Sequence, residues 1–205
     1  MRYFRTPSFV SKLFSGLNWE FADCEDSLFL TFDDGPTPEI TEWVLDTLNK
    51  YNAKATFFCL GRNVERHPNI YNKIIKAGHS VGNHTFSHLK GWLYGPLEYI
   101  KDVELASSFI KSNLFRPPYG RIRPVQAELL QPNYKIIMWN VLTGDYDKNQ
   151  SPQECLENTL KMIKPGSIIV FHDSVKAERN LRYVLPKVLE HYNEKLKFKA
   201  ISMEI

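Results

Sequence analysis

The chain has 205 residues, 43% of them hydrophobic and 24% charged, with a net charge of +3. That length supports one domain over 1–205 with a full apolar core and no disulfide staples. The charge is too small for a nucleic-acid partner, and no window approaches the ~20 apolar residues of a transmembrane segment.

Residues 1–23 place Arg2, Arg5 and Lys12 among apolar side chains, but Pro7, Ser8, Ser11 and Ser15 interrupt any export signal. We expect this stretch to be an extension packed on the domain, with a surface membrane anchor as the other reading, and we expect a cytoplasmic location. Cys24, Cys59 and Cys155 are widely spaced with no CxxC, which suits free thiols in a reducing compartment.

Ser27–Phe32 reads as a buried strand and Pro38–Asn49 as a helix capped by Thr37, with Ile40, Val44, Leu45 and Leu48 at helical spacing. Lys54–Leu60 is a strand, Asn69–Lys76 a helix stopped by Gly78, and His79–Gly82 a short strand. Helices follow over Leu97–Ser112 and Val125–Leu130, with a short strand at Asn113–Phe115 between them. Tyr134–Val141 is a strand, Pro152–Ile163 a helix, Ser167–Phe171 a strand, Lys176–Tyr192 a helix and Phe198–Met203 a last strand. Strand–helix alternation predicts an α/β fold with a mostly parallel sheet, whose ligand site lies beyond the C-terminal strand ends.

Several unusual residues fall at those ends. Asp33 and Asp34 follow the first strand and precede Gly35-Pro36. Adjacent carboxylates repel one another and need a cation or strong donors to stay ionised, though an Asp-Gly turn with a capping carboxylate would also explain them. His84 and His88 stand four apart, so a helical turn would bring both imidazoles to one ion; a pair of surface histidines is the plainer reading. No Glu lies between them, so this is not the HExxH pattern, and Asp34 is the candidate third ligand. Arg116-Pro117-Pro118-Tyr119-Gly120 is a stiff loop in which Arg116 can clasp a carboxylate. The strand Ile168–Phe171 delivers His172, and Trp139 to Tyr146 offers an aromatic wall and the carboxylate of Asp145.

Taken in order, TFDDGP, HTFSH, RPPYG, Trp139 to Asp145 and IVFHD resemble the polysaccharide deacetylase family of carbohydrate esterases with a NodB homology domain, over roughly Ser27 to Asp173. The resemblance implies a distorted (β/α) barrel of mostly parallel strands and removal of acetyl groups from an acetylated carbohydrate. It implies one divalent metal ion, zinc or else cobalt, nickel or manganese, on Asp34, His84 and His88. It makes Asp33 the general base tethered by Arg116, and His172 the general acid oriented by Asp145. The Tyr119 backbone N–H becomes the oxyanion donor, and Tyr146, Val170 and Trp139 the substrate walls. Two positions depart from the family: Leu142 stands where an Asp is frequent, and Tyr146 where a Trp is. Alternative functions are an O-acetyl (xylan-type) esterase and a non-catalytic metal- or carbohydrate-binding module.

Overall fold

The computed structural model describes residues 16–203. Strands and helices alternate as β1 Ser27–Asp33, α1 Ile40–Lys50, β2 Ala55–Cys59, α2 Gly61–Arg66, α3 Pro68–Lys76 and β3 Ser80–Asn83. They continue as α4 Pro96–Ser107, β4 Leu114–Phe115, α5 Pro124–Leu130, β5 Lys135–Ile136, β6 Val141–Leu142, α6 Pro152–Leu160, β7 Ile168–His172, α7 Glu178–Tyr192 and β8 Lys197–Phe198. Single 3-10 turns lie at Gly91–Leu93 and Pro118–Gly120. No helix among the described residues is long and apolar enough to cross a membrane.

The named strands pair in parallel in the order β5-β4-β3-β2-β1-β7-β6, with β8 beside β1. β5 and β6 are the two ends of that path, yet only residues 137–140 separate them in the chain. That span reaches at most about 18 Å when extended, so the sheet has to curl until its edges approach. Residues 18–21 line the seam. The Asn18 N–H donates to the Ile136 carbonyl at 3.0 Å, the Asn18 carbonyl accepts from Met138 at 2.7 Å, and the Phe21 N–H donates to Gly166 at 2.9 Å. The result is the expected distorted barrel, closed at one place by an irregular segment instead of a ladder.

Side-chain alternation sets the two faces of the sheet. Leu28, Leu30 and Phe32 of β1 join Ile169 and Phe171 of β7 in the main core, against Val44 and Leu48 of α1 and Leu181, Val184, Leu185 and Val188 of α7. Thr31 and Asp33 therefore point to the barrel interior, level with Val170 and His172 on the neighbouring strand. The polar residues of the two central strands are thus stacked together at one mouth.

Several boundaries differ from the sequence-based expectation, most of them where a side chain takes a backbone partner. The strand expected over Tyr134–Val141 is split, since the Ile137 and Met138 carbonyls accept hydrogen bonds from Arg116 Nε and Nη2 at 3.1 and 2.9 Å. α4 ends at Ser107 and not at Ser112; Ser112 Oγ donates to the Val81 carbonyl at 2.6 Å. Thr37 does not cap α1: Glu39 does, with φ of 64°, while the Thr37 N–H donates to Thr41 Oγ1 at 2.7 Å. The last strand covers only Lys197–Phe198, and the Ile201 N–H turns to Thr56 Oγ1 at 2.8 Å. α2 was not expected at all. It is six residues long with Gly61 and Val64 buried, too short to show a helical period.

Candidate active site

β1 ends at Asp33, and Asp34 adopts a φ of 81°. This left-handed step sends the two carboxylates to different places. Asp33, almost fully buried, places Oδ1 2.8 Å from Arg116 Nη1. The Asp34 carbonyl accepts from Asn63 Nδ2 at 2.7 Å, and the Gly35 N–H donates to Asp173 Oδ1 at 3.1 Å. These bonds hold the turn from both sides.

The His84–His88 segment is a bend and not the helical turn the spacing suggested, with φ of 65° at Thr85 and 63° at His88. Non-glycine residues in this region are uncommon and cluster where surroundings enforce them. Here the Asn83 amide oxygen accepts the Thr85 N–H at 2.8 Å, and Asp102 Oδ2 accepts those of Phe86 and Ser87 at 2.9 and 3.0 Å. Thr85 Oγ1 accepts the His88 N–H at 2.9 Å. Both imidazoles still converge on Asp34: its Oδ1 lies 3.1 Å from His88 Nε2 and 3.8 Å from His84 Nε2.

These three residues fit a divalent cation. Their ligand atoms all lie within 4.8 Å of one another. Asp34 Oδ1 is buried with no hydrogen-bond partner, an orphan that a cation would satisfy. His84 Nδ1 sits 2.7 Å from the Arg116 carbonyl, so it carries the proton and leaves Nε2 as a lone-pair donor. Burial pushes the His84 pKa down to about 4, which keeps the ring neutral. Burial alone would raise Asp34, but His88 and His172 outweigh it and hold the carboxyl below its ordinary range. One carboxylate and two imidazoles make a three-ligand set with room for a further ligand.

Arg116 is fully buried, and its guanidinium makes four hydrogen bonds. Besides Asp33 and the two carbonyls of the split strand, Nη1 donates to Thr31 Oγ1 at 2.7 Å, and the Phe58 ring lies 4.1 Å from Cζ. Burial lowers its pKa, offset by Asp33, and an Arg remains cationic in such a setting. The following turn places Tyr119 at φ of 60°, with its ring 4.6 Å from that of His88. Its Gly120 and Arg121 N–H groups bond back to Pro117 and Pro118, while the Arg116 carbonyl is taken by His84. A Cβ on Gly120 would lie 2.7 Å from Trp139 Cη2, so Trp139 backs this turn.

Across the mouth, His172 Nδ1 is 2.8 Å from Asp145 Oδ1, and the His172 N–H donates to Asp145 Oδ2 at 2.8 Å. Burial would lower the His172 pKa, but the Asp145 charge and hydrogen bond, with Asp34 and Asp33, raise it to about 9. Asn180 Nδ2 donates to the Asp145 carbonyl at 3.1 Å and fixes that loop. The Tyr146 ring meets His172 edge-on at 5.0 Å, and Val170 lies buried one inward position before it. Leu142 pairs with Val170 in β6 and is half-buried.

Several supporting residues were not given roles from sequence. Thr31, Asn63, Asp102 and Asn180 act on groups far away in the chain, and Asn83 on the Thr85 N–H nearby. Asp173 follows His172 directly, yet its two oxygens accept from the Gly35 N–H and the Thr41 hydroxyl. Burial, with the nearby Asp34 charge, lifts its pKa to about 8. Only the buried carboxylate at a strand end could have signalled it.

Comparison with known proteins agrees with this geometry. The sequence profile described as "Polysaccharide deacetylase" matches residues 22–132. The chain is 40% identical over 152 residues to a peptidoglycan-N-acetylglucosamine deacetylase of Bacillus cereus, covering 71% of this chain and 55% of that protein. It is 33% identical over 155 residues to a chitooligosaccharide deacetylase of Bradyrhizobium, covering 72% of this chain and 70% of that one. The crystal structure of the Bc1960 peptidoglycan N-acetylglucosamine deacetylase superposes with a TM-score of 0.80 at 30% identity, covering 98% of this chain and 100% of that one. The chain thus spans about half the length of the first of these relatives.

Proposed function

The chain belongs to the polysaccharide deacetylase family, and on that premise we propose that it hydrolyses the acetamido group of an N-acetylated oligosaccharide or polysaccharide of peptidoglycan or chitin-oligomer type. Asp34, His84 and His88 would hold one divalent ion. Zinc suits this donor set best, and cobalt, nickel or manganese can occupy it too. Once bound, such an ion acidifies a water molecule and polarises the acetyl carbonyl.

The observation that carries the reading is the placing of two polarised pairs on neighbouring strands at one register, Asp33 with Arg116 and His172 with Asp145. Arg116 occupies Oδ1 of Asp33, so Oδ2 is the oxygen free to take a proton from water as it attacks the acetyl carbon. The Tyr119 N–H donates to the carbonyl oxygen as it gains charge, a contact type worth about 3–4 kcal/mol. His172, held protonated, gives its proton to the sugar nitrogen as the C–N bond breaks. The products are acetate and a free amine. Asp145 then favours reprotonation of His172.

A histidine that keeps its proton to about pH 9 suits the nitrogen that becomes amine-like once water has added to the acetyl carbon better than the alcohol of an acetyl ester. Acetate release from N-acetylglucosamine oligomers by zinc-loaded protein tests the proposal, with Asp33→Asn as the control. The variant should bind metal and lose on the order of 10²–10⁴ in rate. Near-normal turnover in Asp33→Asn would remove Asp33 as the base. Release from acetylated xylan alone would replace the amide by the ester reading.

A further inference from the structure

We propose that the rim beside Tyr119 is a subsite for a carboxylate-bearing sugar adjacent to the one being deacetylated, contacted by Arg121, Lys90 and Trp92. The proposal rests on the deacetylase reading and narrows its substrate to an anionic glycan.

The rim runs outward from the metal-binding residues. The Tyr119 ring packs on His88 at 4.6 Å and is 60% exposed. Lys90, two residues after His88, brings Nζ to 6.0 Å from the Tyr119 ring centre. Trp92 follows with about half its surface open, and Arg121, two residues after Tyr119, lays Cζ 4.1 Å from the Trp92 ring centre. Two residues span at most about 7 Å of chain, so Lys90 stands within that reach of His88 and Arg121 within that reach of Tyr119.

The mount is rigid. The Gly91 N–H donates to the Arg121 carbonyl at 3.1 Å, Trp92 Nε1 to Ile122 at 3.2 Å, and Arg123 Nη2 to the Trp92 carbonyl at 2.7 Å. The fully buried Gln126 amide donates to the Gly91 carbonyl at 3.0 Å, and its oxygen accepts the Arg123 N–H at 2.9 Å. A Cβ on Gly91 would come 2.4 Å from the Arg121 carbonyl, so the two segments touch without a gap.

Stacking on the indole fixes the plane of the Arg121 guanidinium and leaves its N–H fork at the edge. Neither Arg121 nor Lys90 forms an ion pair among the described residues, and the Arg121 fork has no acceptor there. A merely solvated Arg needs neither an aromatic bed nor a clamped backbone. A planar fork without an acceptor, a second cation and two exposed rings match a carboxylate on a sugar.

Three tetrasaccharides test this. One alternates N-acetylglucosamine with N-acetylmuramic acid, the second is the same with its carboxylates converted to primary amides, and the third is neutral chitotetraose. Acetate release and titration calorimetry are measured on zinc-loaded wild type, Arg121→Gln and Lys90→Gln. The wild type should prefer the free carboxylate over its amide by about ten- to a hundred-fold, carried by KM and weakened by salt. Arg121→Gln should reduce that ratio towards one, with unchanged circular dichroism. Equal affinity of wild type for acid and amide, or a ratio that Arg121→Gln leaves intact, overturns the subsite. Absence of acetate from all three glycans defeats the deacetylase reading instead, and calorimetry still decides the subsite.

Discussion

Replacing Asp145 with Asn should move the alkaline limb of the pH–rate profile downward and leave the metal-binding residues alone. His172 is raised to about 9 from an ordinary 6.5, against its own burial, and Asp145 is the largest favourable contributor. The difference corresponds to about 3 kcal/mol at ~1.4 kcal/mol per pH unit. Asn keeps the shape but not the charge, and its amide can accept from only one of the two His172 donors that Asp145 now serves. With the favourable charge gone, desolvation draws the ring down from about 9, opposed only by the smaller effects of Asp34 and Asp33. At pH 7.5, where nearly all molecules carry the acid form in the wild type, the protonated fraction should fall. Loss of orientation adds to this, for a total fall on the order of 10²–10⁴ in kcat/KM.

The same variant has a stability signature with a defined sign. A His whose folded pKa is raised stabilises the fold fully below its unfolded pKa near 6.5, and that contribution is lost as pH rises through about 9. The pH-dependent part of the destabilisation of Asp145→Asn should therefore be largest at pH 6 and nearly vanish at pH 9.5 in urea unfolding, leaving a constant loss from the unserved His172 donor. NMR titration of the His172 ring, together with pH–rate profiles, supplies the check. An alkaline limb that stays near 9 in the variant would refute the charge argument, since Asp145 is the largest of the raising influences.

Arg116→Ala strands Asp33 and the Ile137 and Met138 carbonyls in the interior, which should cost about 3–5 kcal/mol by urea unfolding. Gly35→Ala would put a methyl 2.0 Å from Asp173 Oδ2 and should lower stability and activity together, whereas Gly95→Ala meets nothing within 4 Å and should stay within ~0.5 kcal/mol. Adding zinc at a hundred times its Kd should stabilise the protein by about 2.7 kcal/mol, a Tm rise of about 5–11 °C at this size. A chelator should reverse that rise, and scanning calorimetry of His84→Ala should show no zinc-dependent gain.

The parts of the fold legible from sequence are those that one short pattern determines. The apolar runs of β1 and β7 read as buried strands ending at Asp33 and His172, and so put both residues at the C-terminal mouth before any coordinate is known. The His84–His88 spacing was readable as a ligand pair, but the helical turn that seemed to follow from it is absent. Residues four apart meet equally well across a bend, and here the deciding acceptor is Asp102, fifteen or more residues away on α4. No local window contains that information. The split of the strand expected over Tyr134–Val141 has the same origin, because Arg116 claims carbonyls that a ladder would have used.

The seam at residues 18–21 extends the point from hydrogen bonds to topology. A ladder between β5 and β6 would have closed the barrel with strand carbonyls facing each other. The link between the two strands instead turns its Ile137 and Met138 carbonyls to Arg116, which in turn tethers Asp33 inside the barrel. Asn18 then takes up the Ile136 carbonyl and the Met138 N–H that the missing ladder leaves behind. The irregularity of the barrel and the tether of its buried carboxylate are therefore one arrangement. A substitution that restored strand pairing there would be expected to loosen Arg116 before it strengthened the sheet.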